Sequence, residues 1–364
     1  MADESVTRRD FLGRLGPVAM GALGGLGLLT RVLGRPGQAQ AEPAMGREIV
    51  RLAQTAMGCR FEVLLPEPEP WQVQAARESL RLAGALEDQL TIFRDDSEVS
   101  LLNRTAGYEP VRVEPGLFDL LSRSAGWSES LQGAFDPAAG VLSARWREAE
   151  QACVLPGEEE MVELLRLVGM RQLQLEPSDH SLRFARPGVL LDLGAVGKGY
   201  AVDRIAADLQ ERGVVDALVH AGHSSVYALG SPPWEEGWLV EVSDPQGIRP
   251  ALATLRLCDR AMSTSAATYR QFQVDGRRWG HLLDPRTGWP AEGVLGVSAL
   301  APAAAEAEAL STGLFVLGPE QGAAVLAGWP EAAALFVLPG GRGVTLSAIG
   351  ESFTWEEASE PSQA

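Results

Sequence analysis

Cysteine is scarce in this 364-residue chain. Cys59, Cys153 and Cys258 are its only three, so at most one disulfide can form, and their wide spacing gives neither a zinc nor a haem signature. Positive charge is also short. Against 48 Asp and Glu stand 31 Lys and Arg, a formal net charge of −17, and no basic run occurs beyond the N-terminal segment. That balance argues against nucleic acid or an anionic membrane surface as partner, since binding either one rests on clustered Lys and Arg. There is no internal repeat and no low-complexity linker after the first forty residues. The most apolar stretch, 15–33, is broken by Pro17 and many glycines and lacks the dense Leu and Ile of a stable span. Of four histidines only His281 falls within a motif; His180 reads as a loop residue and His220 as a strand residue.

What the N-terminus does contain is a twin-arginine pattern, Thr7-Arg8-Arg9-Asp10-Phe11-Leu12, with an A-x-A site at Ala39-Gln40-Ala41. Residues 1–41 therefore read as a cleaved export signal, and the product as periplasmic or otherwise extracytoplasmic. No cysteine suited to lipidation follows the apolar stretch, so a soluble protein is expected. Residues 42–350 then form one large domain, for which an apolar fraction of 46% supplies ample core, and 351–364 form an acidic, frayed tail.

Periodicity gives the organisation of the domain. A hairpin over 47–65 turns near Met57-Gly58, and Val73, Ala76, Leu80, Ala83 and Leu86 follow the helical period over 71–90. Further helices are expected over 117–130, 158–168, 198–212, 305–317 and 320–327. Short strands are expected near 173, 182 and 190, over 215–219, 226–229, 239–242, 252–257, 269–274 and 294–300, and in a closing pair at 334–338 and 344–349. Strands grouped with interspersed helices, without strict alternation, indicate an α+β sandwich.

Three segments carry chemistry. VLLDLGAVGKGYAVD, 189–203, runs an apolar stretch into Asp192, then three glycines and Lys198, then a helix start, an arrangement that suits phosphate. WGHLLDPRTGWP, 279–290, sets His281 and Asp284 just ahead of a turn, with Arg286 available to an anion. In AEAEALSTGLFVLG, 305–318, Glu308 and Thr312 are four apart and share a helical face, where a carboxylate and a hydroxyl suit a hard cation such as Mg²⁺.

With IFRDDSEVSLLN (92–103), AFDPAAGVL (134–142), the Ala221-Gly222 turn and STSAATY (263–269), these segments resemble, in order, the ApbE family of FAD:protein FMN transferases. The resemblance runs from about Met57 to about residue 348. It implies a T-fold-like arrangement of mixed sheets flanked by helices. It also implies FAD as substrate against Met57, Phe93, Ala134, Phe135, Asp136, Asp192, Lys198 and Leu283. Magnesium would lie between the Ala195 carbonyl and the side chains of Glu308 and Thr312, bridging the FAD diphosphate, with Lys198 or Arg286 helping to hold the phosphates. His281 and Asp284 would sit beside the reacting centre, to orient or deprotonate a Thr or Ser hydroxyl of an acceptor protein that takes FMN while AMP departs. Two departures stand out: Glu308 where the family has Asp, and Gly222-His223-Ser224 where it has Gly-Gly-Asp. Two other readings are an FAD pyrophosphatase, with water replacing the hydroxyl, and a non-catalytic flavin-binding maturation protein.

Overall fold

The structure is a computed structural model that describes residues 48–357, apart from 223, 267–270, 275–276, 341–342 and 351–354. The twin-arginine segment, His223, the end of the STSAATY stretch and residues 358–364 lie outside the described residues.

The chain opens with a hairpin, β1 (Ile49–Ala56) and β2 (Cys59–Pro66), then helices α1 (Pro70–Ser79), α2 (Arg81–Leu90) and α3 (Glu98–Thr105). Strand β3 (Val111–Arg112), helices α4 (Pro115–Ser130), α5 (Gly140–Ala152) and α6 (Glu158–Leu165), and strands β4 (Leu173–Glu176) and β5 (Ser181–Phe184) follow. Next come α7 (Gly197–Glu211), β6 (Ala217–Ala221), β7 (Ser225–Leu229), β8 (Trp238–Val242), β9 (Ala253–Leu257) and β10 (Arg260–Ala266). The last part holds β11 (Gln271–Val274), β12 (Arg277–Gly280), β13 (Gly296–Ala301), α8 (Ala304–Leu326), β14 (Ala333–Gly340), β15 (Gly343–Ile349) and β16 (Trp355–Glu357).

Eight strands form one sheet in the order β1-β2-β6-β7-β10-β13-β14-β15, every neighbouring pair antiparallel. Because side chains alternate across a strand, the sheet buries two faces. Phe61, Val63, Val219, Ala261, Val297 and Ala299 face α7 and α8 in the main core. Leu64, Leu218, Val226, Met262 and Leu300 face a second core made with Trp238, Val240 and Leu255 of the sheet β16-β9-β8. The result is the α+β sandwich that the grouping of strands implied.

Several elements differ from expectation for identifiable reasons. The helix over 71–90 breaks at Leu80, where Ser79 Oγ donates to Ala75 O (3.0 Å) and to Asp208 Oδ2 (2.7 Å), offering the backbone a competing partner. The segment near 190 is extended but joins no ladder. Its polar groups go instead to Asn103, whose Oδ1 accepts from Leu191 N (2.7 Å) and whose Nδ2 donates to Leu191 O (3.0 Å), and to Pro137 O, which accepts from Asp192 N (2.8 Å). The 92–103 segment contains α3, capped by Ser97 Oγ accepting from Ser100 N (3.0 Å). The tail expected to fray contributes β16, which pairs with β9 and so gives Trp355–Glu357 a ladder. The helix pair around 318 is as expected: α8 is interrupted at Gly318, whose φ of 73° leaves the helical region just before Pro319.

The start of α8 has no cap of its own, because Ala303 offers no side-chain oxygen. Asp203, reaching from α7, accepts from the Ala304 and Ala305 N–H groups at 2.6 and 2.9 Å. Burial pushes its carboxyl up to about 6 despite those bonds. Thus the middle of α7 is tied to the start of α8, the two helices that carry the glycine–lysine and Glu308 motifs, across 101 residues of sequence.

Candidate functional site

One cleft of about 690 Å³ gathers residues from distant parts of the chain. Met57, Phe93, Ala134, Phe135, Asp136, Asp192, Ala195, Lys198, His281, Leu283, Glu308 and Thr312 all line it, which accounts for every expected site residue except Asp284.

Met57 enters on the two-residue turn between β1 and β2. Ala56 pairs with Cys59, and Met57 and Gly58 both have positive φ (50° and 68°), the mirror-image turn that suits hairpin twist. A methionine held in that region is strained, a feature that clusters at functional positions. Burial, above all, pushes the thiol of Cys59, just behind it, up to about 11, which disfavours the thiolate. Ala134 and Phe135 are fully buried core residues, with Phe135 edge-on to Trp127. Asp136 fixes this turn, Oδ1 accepting from Ala138 N (2.8 Å) and Oδ2 from Met170 N (3.0 Å) and Ser128 Oγ (3.3 Å). Burial nonetheless raises its pKa.

Glu308 is the best-held acid of the cleft. It is 4% exposed, and its Oε1 accepts from Ser225 Oγ at 2.7 Å while Oε2 accepts from Gly199 N, in the first turn of α7, at 2.7 Å. The Lys198 ammonium lies 2.7 Å from Oε1. Burial disfavours the Lys198 charge, but the carboxylate outweighs that and holds its pKa above the ordinary lysine value. One turn further along α8, Thr312 Oγ1 meets Ser265 Oγ at 3.3 Å, and Ser265 also meets Ser311 Oγ at 2.9 Å. The Glu308 departure from aspartate thus fills a pocket shaped for the longer side chain. At the other departure, Gly222 turns between β6 and β7 with φ 57°, and Ser224 lines the cleft where the family's acid was expected.

Among the described residues no group of three or more His, Cys, Asp and Glu is arranged to hold a metal, so a zinc-like site is not formed there. Glu308, Thr312 and Ala195 share the lining of this cleft, and the donors they could offer a metal are one carboxylate, one hydroxyl and one backbone carbonyl. All are hard oxygens, and few enough to leave room for water and phosphate. That set fits magnesium.

Asp284 departs from expectation. It does not line the cleft, and its Oδ1 accepts from Arg286 N and Nε, both at 2.9 Å, while Oδ2 takes Arg286 Nη2 at 2.9 Å. The pair closes the Pro-Arg-Thr-Gly turn on itself, an Asx turn reinforced by a forked guanidinium contact, so neither Asp284 as base nor Arg286 as phosphate ligand matches this arrangement. Beneath the turn, Trp146, Trp279 and Trp289 pack with ring centroids 5.4–5.6 Å apart, and Trp146 Nε1 donates to Gly288 O at 2.7 Å. These tryptophans form a small core that supports the His281 segment.

Sequence reasoning missed α5. Ser143, Trp146, Arg147 and Glu150 line the cleft at spacings of three, four and seven, one face of a helix, and that period after AFDP was the available signal. Arg147 matters most. Its guanidinium lies 5.5 Å from the ring centroid of Phe93, itself 78% exposed, and 3.3 Å from Asp192 Oδ2. Asp192 Oδ1 accepts from Gly194 N at 3.0 Å, which anchors the assembly to the turn before α7.

Comparison with known proteins adds independent findings. The model of the ApbE family matches residues 57–336. An FAD:protein FMN transferase of Treponema pallidum is 35% identical over 300 residues, 78% of this chain and 82% of that protein. One from Klebsiella pneumoniae is 32% identical over 258 residues, 71% of this chain and 80% of that protein. Among solved structures, the flavin transferase ApbE from Vibrio cholerae superposes with a TM-score of 0.75 at 27% identity, covering 84% of this chain and 98% of that one.

Proposed function

The chain belongs to the ApbE family and is an FAD:protein FMN transferase, and on that premise we propose how its cleft carries out the transfer. FAD lies with its diphosphate beside Lys198, and a Thr or Ser hydroxyl of an acceptor protein attacks the FMN phosphorus. A new P–O bond forms, the bond to the AMP phosphate oxygen breaks, and AMP leaves. His281 takes the hydroxyl proton and passes it on to AMP or water. Asp284 acts as a positioning residue, locking with Arg286 the turn that presents His281 and Leu283. Phe93 offers an exposed aromatic face for a ring of the dinucleotide, and Lys198 and Arg147 bring positive charge to an otherwise acidic cleft. The Ala195 carbonyl, Glu308 and Thr312 would hold magnesium, which would supply positive charge against the diphosphate.

The observation that carries this reading is the convergence of twelve expected residues on one cleft, including every proposed FAD and metal contact. The test combines purified protein, FAD, Mg²⁺ and an acceptor domain bearing a flavinylation motif. Covalent yellow fluorescence on the acceptor after denaturing electrophoresis, with equimolar AMP, is the expected outcome. AMP without labelling would establish a pyrophosphatase, and bound FAD without AMP a flavin-binding maturation protein. We propose further that Arg8 and Arg9 direct export of the folded enzyme to acceptors outside the cytoplasm, such as exported redox subunits. Replacing both by Lys should leave a fused reporter in the cytoplasm; export unchanged would overturn this.

A further inference from the structure

Lys198 is the only lysine in the chain; all 30 other members of the Lys and Arg set are arginine. It is also the cation pressed against the most buried acid of the cleft. Glu308 Oε1 already takes two donors, the Lys198 ammonium and Ser225 Oγ, and Oε2 takes Gly199 N. A carboxylate has about four lone-pair sites in all. A divalent ion arriving at Glu308 therefore meets a carboxylate largely taken up, with a full positive charge in contact with it. Two cations on an acid whose side chain is 5% exposed repel one another with little screening from solvent.

We propose that Lys198 is an internal counter-cation: it holds Glu308 ionised and aimed while the cleft is empty, and must release it when a divalent ion binds. The released ammonium is then free to turn to the diphosphate. Lys198 and the metal thus compete for one carboxylate, and FAD relieves the competition by giving the lysine another anion. The residue type suits the task. A lysine carries a compact charge on a flexible four-carbon stem, whereas an arginine fork clamps a carboxylate in two parallel bonds, as Arg286 does with Asp284. The exposures suit it as well, with the Lys198 side chain 27% exposed over a Glu308 side chain that is 5% exposed, so the ammonium stands on the open side of the pair. The inference rests on the metal reading of this cleft, and its test separates the two.

The probe is Mn²⁺ with FAD-free protein at pH 8, where carboxylates are ionised, read by electron paramagnetic resonance. Lys198→Met should bind Mn²⁺ about tenfold more tightly than wild type, the scale of one charge-assisted hydrogen bond no longer surrendered. In wild type, acylation of Lys198 by acetic anhydride, followed by mass spectrometry with the N-terminal amine as internal reference, should speed up several-fold on adding Mg²⁺. The single lysine makes the signal unambiguous, and this measurement decides the matter if the variant does not fold. Unchanged or weaker Mn²⁺ binding by Lys198→Met, or labelling indifferent to Mg²⁺, overturns the competition while leaving the metal site standing. Failure of wild type to bind Mn²⁺ at all overturns both.

Discussion

Gly199 sits where α7 crosses the start of α8, and the consequences of giving it a side chain can be worked out from the structure. A Cβ there would lie 2.4 Å from Ala304 O, 2.6 Å from Ala304 C and 2.7 Å from Ala305 N. These are backbone atoms with no rotamer to escape into. Ordinary contact begins near 3.4 Å, so Gly199→Ala must push the helices apart by about 1 Å. The same residue donates its N–H to Glu308 Oε2, so that movement acts directly on the acid. Overpacking of this kind costs about 1–3 kcal/mol. For a domain of this size each kcal/mol corresponds to about 2 °C of melting temperature, so a fall of about 2–6 °C is expected. The effect on turnover should be larger, because a displacement of about 1 Å in a catalytic constellation can cost about a hundredfold. Gly126→Ala is the control: nothing lies within 4 Å of its Cβ position in the middle of α4, and it should be neutral or stabilising by up to about 1 kcal/mol. Thermal melts and AMP release measured side by side test the argument. It fails if Gly199→Ala melts and turns over like wild type.

Glu308→Asp restores the family residue but shortens the reach to Gly199, Ser225 and Lys198; AMP release should fall and stability drop by about 1–3 kcal/mol, and a gain in activity would show the pocket is not built for glutamate. Arg286→Gln should leave FAD affinity within about twofold, whereas Arg147→Gln should weaken it by about fivefold or more, each read by flavin fluorescence titration; the reverse order would return Arg286 to the phosphate. The buried Glu62 accepts from His220 Nε2 at 2.9 Å, and that bond first, with Arg51 and Arg60 nearby, holds its carboxyl below the ordinary 4.5 against the cost of burial. A depressed folded-state pKa contributes stability above pH 4.5 that is lost as pH falls through the folded value, so Glu62→Gln should lower the melting temperature at pH 7 and converge with wild type in acid. A gap independent of pH would refute that assignment.

How much of this was legible in the sequence follows from the range of the interactions involved. Local rules sufficed for the Met57-Gly58 hairpin, for the interruption of α8 at Gly318-Pro319 and for the shared face of Glu308 and Thr312, because turn chemistry and helical period act over a few residues. The ordered motifs likewise pointed to the family and to twelve of the residues that line the cleft, though not to the face that α5 contributes. Other features depend on partners that lie far away in the chain. The stretch near 190 looks like a strand, yet its hydrogen bonds go to Asn103 and Pro137. Asp284 has the right chemistry for a base and Arg286 for a phosphate ligand, and only their geometry shows that they consume each other. Arg147 sits in an unremarkable polar helix until folding brings it over Phe93. Lys198 and Glu308 were both visible as candidates, but their contact across 110 positions was not. Charge, period and turn type are properties of neighbours along the chain, whereas which anion meets which cation is settled by the crossing of α7 and α8, and that crossing exists only once the sheet beneath them has formed.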